Sequence, residues 1–154
     1  MNKVYLDVTK RKNCPAICIN TKDTEVIKAG TTVYYMDSND KNETYKQYAD
    51  EYDIHFIFDE NVVEVLFYTV PQVDVFVTDS EDGLIGTVGS ITDLQSDLPI
   101  CYINKNKECF LIANNGKEFL EIAREWKNNL IPYNEVIFYK SKLEAEKELI
   151  FISI

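Results

Sequence analysis

Apolar and polar positions alternate at the start of the chain. Val4, Leu6 and Val8 fall opposite Tyr5 and Asp7, which predicts a half-buried strand over 3–8. A basic loop with Lys10-Arg11-Lys12 follows, then short β-branched runs at 16–19 and 32–36 divided by Ala29-Gly30, so this region reads as an N-terminal meander. The period then changes from strand to helix. Tyr45, Tyr48, Ala49 and Tyr52 share one helical face behind the turn-forming, capping-competent Asp37-Ser38-Asn39-Asp40, predicting a helix over about 42–52.

β-Branched and aromatic residues dominate the next segment. The runs 54–58 and 62–68, divided by Asp59-Glu60-Asn61, predict a hairpin, and 73–78 predicts a strand after Pro71. A short or bulged strand over 84–88 contains Gly86 and is followed by Gly89. Residues 98–103 and 109–113, joined through Asn104-Lys105-Asn106-Lys107, predict a second hairpin. Asn114 or Asn115 then caps a helix over 116–130, with Phe119, Leu120, Ala123, Trp126 and Leu130 on its apolar face. Glu118 and Glu121 near its start and Lys127 near its end suit the helix dipole. Past Pro132 come a strand at 135–139, a short charged helix at 142–148 and an apolar strand at 149–154. Layer logic gives a single α+β domain over 1–154, a mainly antiparallel sheet packed with helices.

With 154 residues, 45% of them hydrophobic, the chain buries a core without help from disulfides or metal. Charge adds a more specific feature. From Gln47 to Asn104 there are twelve acids and no Lys or Arg, so the whole net charge of −10 lies in the middle of the chain. Such a surface attracts a basic partner. It argues against nucleic acid, whose phosphates demand clustered Lys and Arg. No apolar run of about eighteen residues and no long apolar leader occur, so no membrane span is expected and the location reads as cytosolic. In that reducing setting Cys14, Cys18, Cys101 and Cys109 are expected as free thiols.

Candidate chemistry is sparse. His55, the one histidine, lies in a predicted strand with no Ser or Cys nucleophile placed beside it by sequence. Cys14 and Cys18 have the spacing of a zinc half-site, but Cys101 and Cys109 face across a hairpin. Gly83, Gly86 and Gly89 match neither a dinucleotide fingerprint nor a Walker loop. Asp79, Glu81, Asp82, Asp93 and Asp97 suit a hard cation by donor type, yet no EF-hand spacing is present. No catalytic residue, metal or cofactor is therefore expected.

Three stretches resemble the central and C-terminal part of the SUKH superfamily. They are Asp79 to Gly86, Leu98-Pro99-Ile100-Cys101-Tyr102-Ile103, and Phe110 through Ile112-Ala113 to Glu118-Phe119-Leu120, spanning about 74–130. That family carries, in this order, a Gly-containing turn after a strand, a Pro-led strand with Tyr, and an Ile-Ala entry into a helix. Its members usually begin with helices and a Leu-Pro-x-x-Tyr segment, whereas this N-terminus reads as strands. The resemblance implies an α+β domain that binds proteins without catalysis, as in immunity proteins made beside secreted polymorphic toxins. Charge and loop placement nominate Asp79, Glu81, Asp82, Asp93 and Asp97 as contacts to a basic cognate toxin, with Tyr52 and Tyr68 as aromatic anchors. Two other readings stay open: a regulatory or small-ligand module with a cleft lined by the glycine turn and hairpin, and a metal-dependent hydrolase using the acidic loops.

Overall fold

The structure, a computed structural model, describes residues 2–9 and 24–152. The fold is α+β with mainly antiparallel pairing. The first strands are β1 (Asn2–Asp7), β2 (Thr24–Ala29) and β3 (Thr31–Val33), followed by helix α1 (Glu43–Tyr52) and the short β4 (His55–Phe56). Next come β5 (Tyr68–Val70), β6 (Val73–Thr78), β7 (Leu84–Val88), β8 (Ile100–Ile103) and β9 (Cys109–Ala113). Helix α2 (Gly116–Glu121), strands β10 (Ile131–Pro132) and β11 (Ile137–Tyr139), and helix α3 (Lys142–Glu146) complete the order.

β6 through β9 form an antiparallel meander with β10 on its outer edge. The free side of β6 is shared, since β3 runs parallel to its first half while β4 runs antiparallel to its end. β6 therefore has neighbours on both sides, and it reads almost continuously apolar because both sheet faces are covered as well. β8 shows the division by period two. Ile100 and Tyr102 enter a cluster with Ile54, Phe119 and Trp126 on the helical face, whereas Cys101 and Ile103 join Ile57, Val73, Val75 and Val136 on the other. A bulge resets β6. Val75 pairs with Gly86 and Val77 with Ile85, so Phe76 is the extra residue, and Phe76 and Val77 both serve the helical-face cluster. Gly86 is required there, because a Cβ would sit 2.8 Å from the Asp74 carbonyl oxygen.

A third cluster of Ala29, Tyr68, Val70, Tyr139 and Ala145 joins the β1–β2 and β5–β11 pairs, with Tyr5 and Phe151 packed on it.

Several expectations change. The N-terminal strands do not form a meander: β1 and β2 pair in parallel, and β3 adds in parallel to β6. The hairpin between 54–58 and 62–68 does not form, because the edge of β6 is a better partner. β4 takes it, Ile57 N–H donates to the Phe76 carbonyl, and pairing there buries side chains on both faces. Tyr68–Val70 pairs with β11 instead, and 62–66 joins no ladder. The helix expected over 116–130 ends at Glu121, capped at its start by Asn115, and continues as 3₁₀ turns over Ala123–Asn128 with Glu125 at φ −117°. Tertiary bonds win over the apolar periodicity there, since Trp126 Nε1–H donates to the Tyr52 carbonyl at 2.7 Å. α3 ends at Glu146, and among the described residues the closing run keeps a bridge from Phe151 to Tyr5 in place of a strand. The run at 16–19, the basic triplet, Cys14, Cys18, Ser153 and Ile154 lie outside the described residues. Among the described residues no helix is long and apolar enough to cross a membrane.

Candidate functional site

The turn between β6 and β7 is built from its buried side. Asp79 Oδ1 accepts the amides of Glu81 at 3.0 Å and Gly83 at 2.7 Å, while Oδ2 accepts the Tyr102 hydroxyl at 2.7 Å. Only 7% of Asp79 is exposed, so its charge is used inside the turn. Burial and the neighbouring Asp79 carboxylate both push the Tyr102 phenol well above its ordinary value, which keeps it a donor. Asp82 takes a left-handed conformation at φ 63°, and Gly83 has no room for a Cβ against the Tyr102 ring. The consequence is that Ser80, Glu81 and Asp82 are displayed to solvent on a turn fixed from below.

Beside this turn stands Asp53, at the end of α1. It closes the helix in a left-handed conformation at φ 58°, where its N–H donates to the Tyr48 carbonyl. Its carboxylate accepts the Ser80 amide at 3.0 Å, the Ser80 hydroxyl at 2.7 Å and Lys127 Nζ at 2.7 Å, with His55 Nε2 at 2.9 Å. Burial opposes the charge, but the hydrogen bonds from Lys127, Ser80 and His55 outweigh it and hold the carboxyl well below the usual range. The same hydrogen bond raises the Lys127 ammonium. One residue thus ties α1, β4, the β6–β7 turn and the 3₁₀ segment together. Sequence reasoning missed Asp53, although an Asp directly after a predicted helix end is a recognisable left-handed cap. The order of the groups also has chemical meaning. Ser80 donates to a carboxylate held well below the usual range, hence a weak base, and not to His55, so the set lacks the Ser–His pairing of a hydrolytic triad.

The five nominated acids do not form one patch. Leu84 pairs with Ile103 and Thr87 with Ile100, so the loop carrying Asp93 and Asp97 leaves the opposite end of β7, about 13 Å away along the strand. Asp93 is engaged locally, with Oδ1 accepting the Gln95 amide and its carbonyl accepting the Ser96 amide and hydroxyl. The central acidic stretch is also less available than its sequence suggests. Asp74 is buried against Thr32 and Thr92, Lys46 pairs with Asp50 and Lys41 with Glu60. Glu51, Asp59, Glu64, Glu81, Asp82, Asp93 and Asp97 are exposed and without ion pairs among the described residues.

Tyr52 and Tyr68 part company. Tyr52 is half-buried and lines grooves of about 360 and 170 Å³ between α1 and residues 120–128, with Arg124 6.0 Å from its ring. Tyr68 is 5% exposed and donates its hydroxyl to Asp7 Oδ1 at 3.0 Å. Its ring belongs to the third core cluster, out of a partner's reach.

Cys101 and Cys109 are free thiols on one sheet face, because Cys109 pairs with Ile103. Hydrogen bonding between them pushes Cys101 up, with burial adding to the rise, and draws Cys109 down against the opposing effect of its burial. Among the described residues no three His, Cys, Asp or Glu side chains are grouped to hold a metal ion. Comparison with protein-family models, curated proteins and solved structures gave no match.

Proposed function

We propose that this chain is a non-catalytic protein-binding domain that captures a basic partner at the acidic end formed by Glu51, Glu81 and Asp82 beside Tyr52. The supporting observation is the construction of the β6–β7 turn. Asp79 and Tyr102 fix its conformation from the buried side, so Glu81 and Asp82 are held in solvent without further ordering on binding. Lys127 is neutralised by Asp53, so of the bases beside Tyr52 it is Arg124 that stands against Glu51, Glu81 and Asp82. Acidic groups so placed speed encounter with a basic surface, and a half-buried aromatic such as Tyr52 supplies a contact that lasts.

The cognate partner in this reading is a bacterial toxin of nuclease type met in the cytosol, whose basic nucleic-acid surface the acidic end covers. The SUKH resemblance supports the immunity role. Its glycine turn falls after β6, its Pro-led strand on β8 and its Ile-Ala stretch on the entry to α2. The test begins with tagged chain exposed to extract of its source cells at low and high salt. Association of the purified partner is then compared for Glu81→Lys with Asp82→Lys and for Asp93→Lys with Asp97→Lys. The first pair slows association about tenfold or more at low salt, and the second changes it little. Equal behaviour of the two pairs rejects this docking end.

A further inference from the structure

Residues 62–67 alternate strictly between exposed and half-buried, the signature of an extended chain. Val63 and Phe67 pack on the second sheet face, while Val62 and Leu66 point outward, 92% and 73% exposed. Tyr35 brackets Val63, its hydroxyl accepting from the N–H at 3.2 Å and donating to the carbonyl at 3.4 Å. The N–H groups of Val62, Glu64, Val65 and Leu66 make no hydrogen bond to any described residue. A β-branched run without a ladder is an open edge, of the kind that proteins otherwise blunt with Lys or Pro or cover. It borders a groove of about 480 Å³ that also takes in Asp82, Leu84, Lys105 and Lys107.

The charges along this groove select its occupant. Glu64 from the open run and Asp82 from the β6–β7 turn supply acids, and Lys105 and Lys107 from the β8–β9 turn supply bases. None of the four forms an ion pair among the described residues. A two-fold contact uses one patch twice, so the patch must complement itself, and one carrying both signs does. A uniformly basic strand would meet Lys105 and Lys107.

We infer that the 62–66 edge pairs antiparallel with the same edge of a second copy of the chain, setting Lys105 and Lys107 of each copy against Glu64 and Asp82 of the other. A register centred on Val65 pairs residues 64–66 with 64–66 of the second copy, puts Glu64 opposite the second copy's Leu66 and avoids facing like charges. The inference shares Asp82 with the basic-partner reading but is measured with no partner present, so the failure of one is distinguishable from the failure of the other.

Sedimentation of the full chain over a concentration series up to its solubility limit tests it. The wild-type chain forms a reversible dimer. Lys105→Glu with Lys107→Glu, and separately Glu64→Lys with Asp82→Lys, each raise the dimer Kd about tenfold or more, while an equimolar mixture of the two variants restores association. Glu64→Pro, which lacks the donor, weakens the dimer as well, and Trp126 emission reports whether each variant is folded. If Glu64→Pro does not fold, the charge-reversed pair decides alone. A wild-type chain that stays monomeric throughout, reversals without effect, or a mixture that stays monomeric overturns the inference and leaves the edge to a foreign strand.

Discussion

The Tyr102 hydroxyl reaches Asp79 Oδ2 across 2.7 Å beneath the β6–β7 turn. This bond joins the displayed acids to the core, because Tyr102 also packs edge-on against Trp126 with ring centroids 5.1 Å apart. Tyr102→Phe keeps the ring and removes the donor, leaving a buried carboxylate oxygen short of its partner. A loss of about 1–3 kcal/mol in urea unfolding is expected. A change smaller than the scatter of such fits would mean that water replaces the hydroxyl.

Gly116 opens α2 against the backbone of Leu94, where a Cβ would overlap main-chain atoms that have no rotamer to escape into. Gly116→Ala is therefore expected to destabilise by about 1–3 kcal/mol, despite the better helix propensity of Ala. Thermal unfolding would show it. A raised midpoint would mean that the 90–99 loop moves aside.

How much of this was legible depends on how local each signal is. β6 and β7 match their expected limits because the β-branched run, Pro71 and the glycines lie within the strands or beside them. The Asn115 cap is equally local. The 54–68 hairpin failed because two adjacent apolar runs indicate strands but not partners, and pairing with β6 buries Ile54 and Ile57. The helix break at Ile122 depends on Tyr52 and Asp53, about seventy residues earlier, which periodicity does not see. At the site, counting carboxylates located the acidic stretch, but only the strand register separates Glu81 and Asp82 from Asp93 and Asp97. Burial and pairing of Asp74, Asp79 and Asp53 are likewise tertiary facts.

Asp53 makes the protein acid-sensitive in a defined direction. Its folded carboxyl ionises more readily than an unfolded one of ordinary value 3.8, so its stabilisation is complete above that value. It declines as pH falls through the lower folded value. Asp53→Asn is thus less stable than wild type near neutrality, and the gap closes as pH drops below about 4. Urea unfolding followed by Trp126 emission over a pH series reads both limbs. Asn keeps the backbone cap, so a gap that persists undiminished in acid would assign the loss to hydrogen-bond geometry at Ser80 and remove the charge of Asp53 from the account.

Lys127 separates stability from attraction. Its ammonium is bonded to Asp53 yet nearly half exposed, so Lys127→Met costs about 0–1 kcal/mol, as exposed pairs do. The same change removes a base that faces Glu81 and makes the acidic end more negative. If that end steers a basic partner, the variant associates faster than wild type at low salt, by roughly two- to threefold, with the advantage fading as salt is raised. Glu81→Lys with Asp82→Lys moves the rate the other way. Opposite signs from substitutions at the same end, one of them mildly destabilising, would trace the rate to charge and not to folding. Slower association for Lys127→Met would place docking elsewhere on the surface.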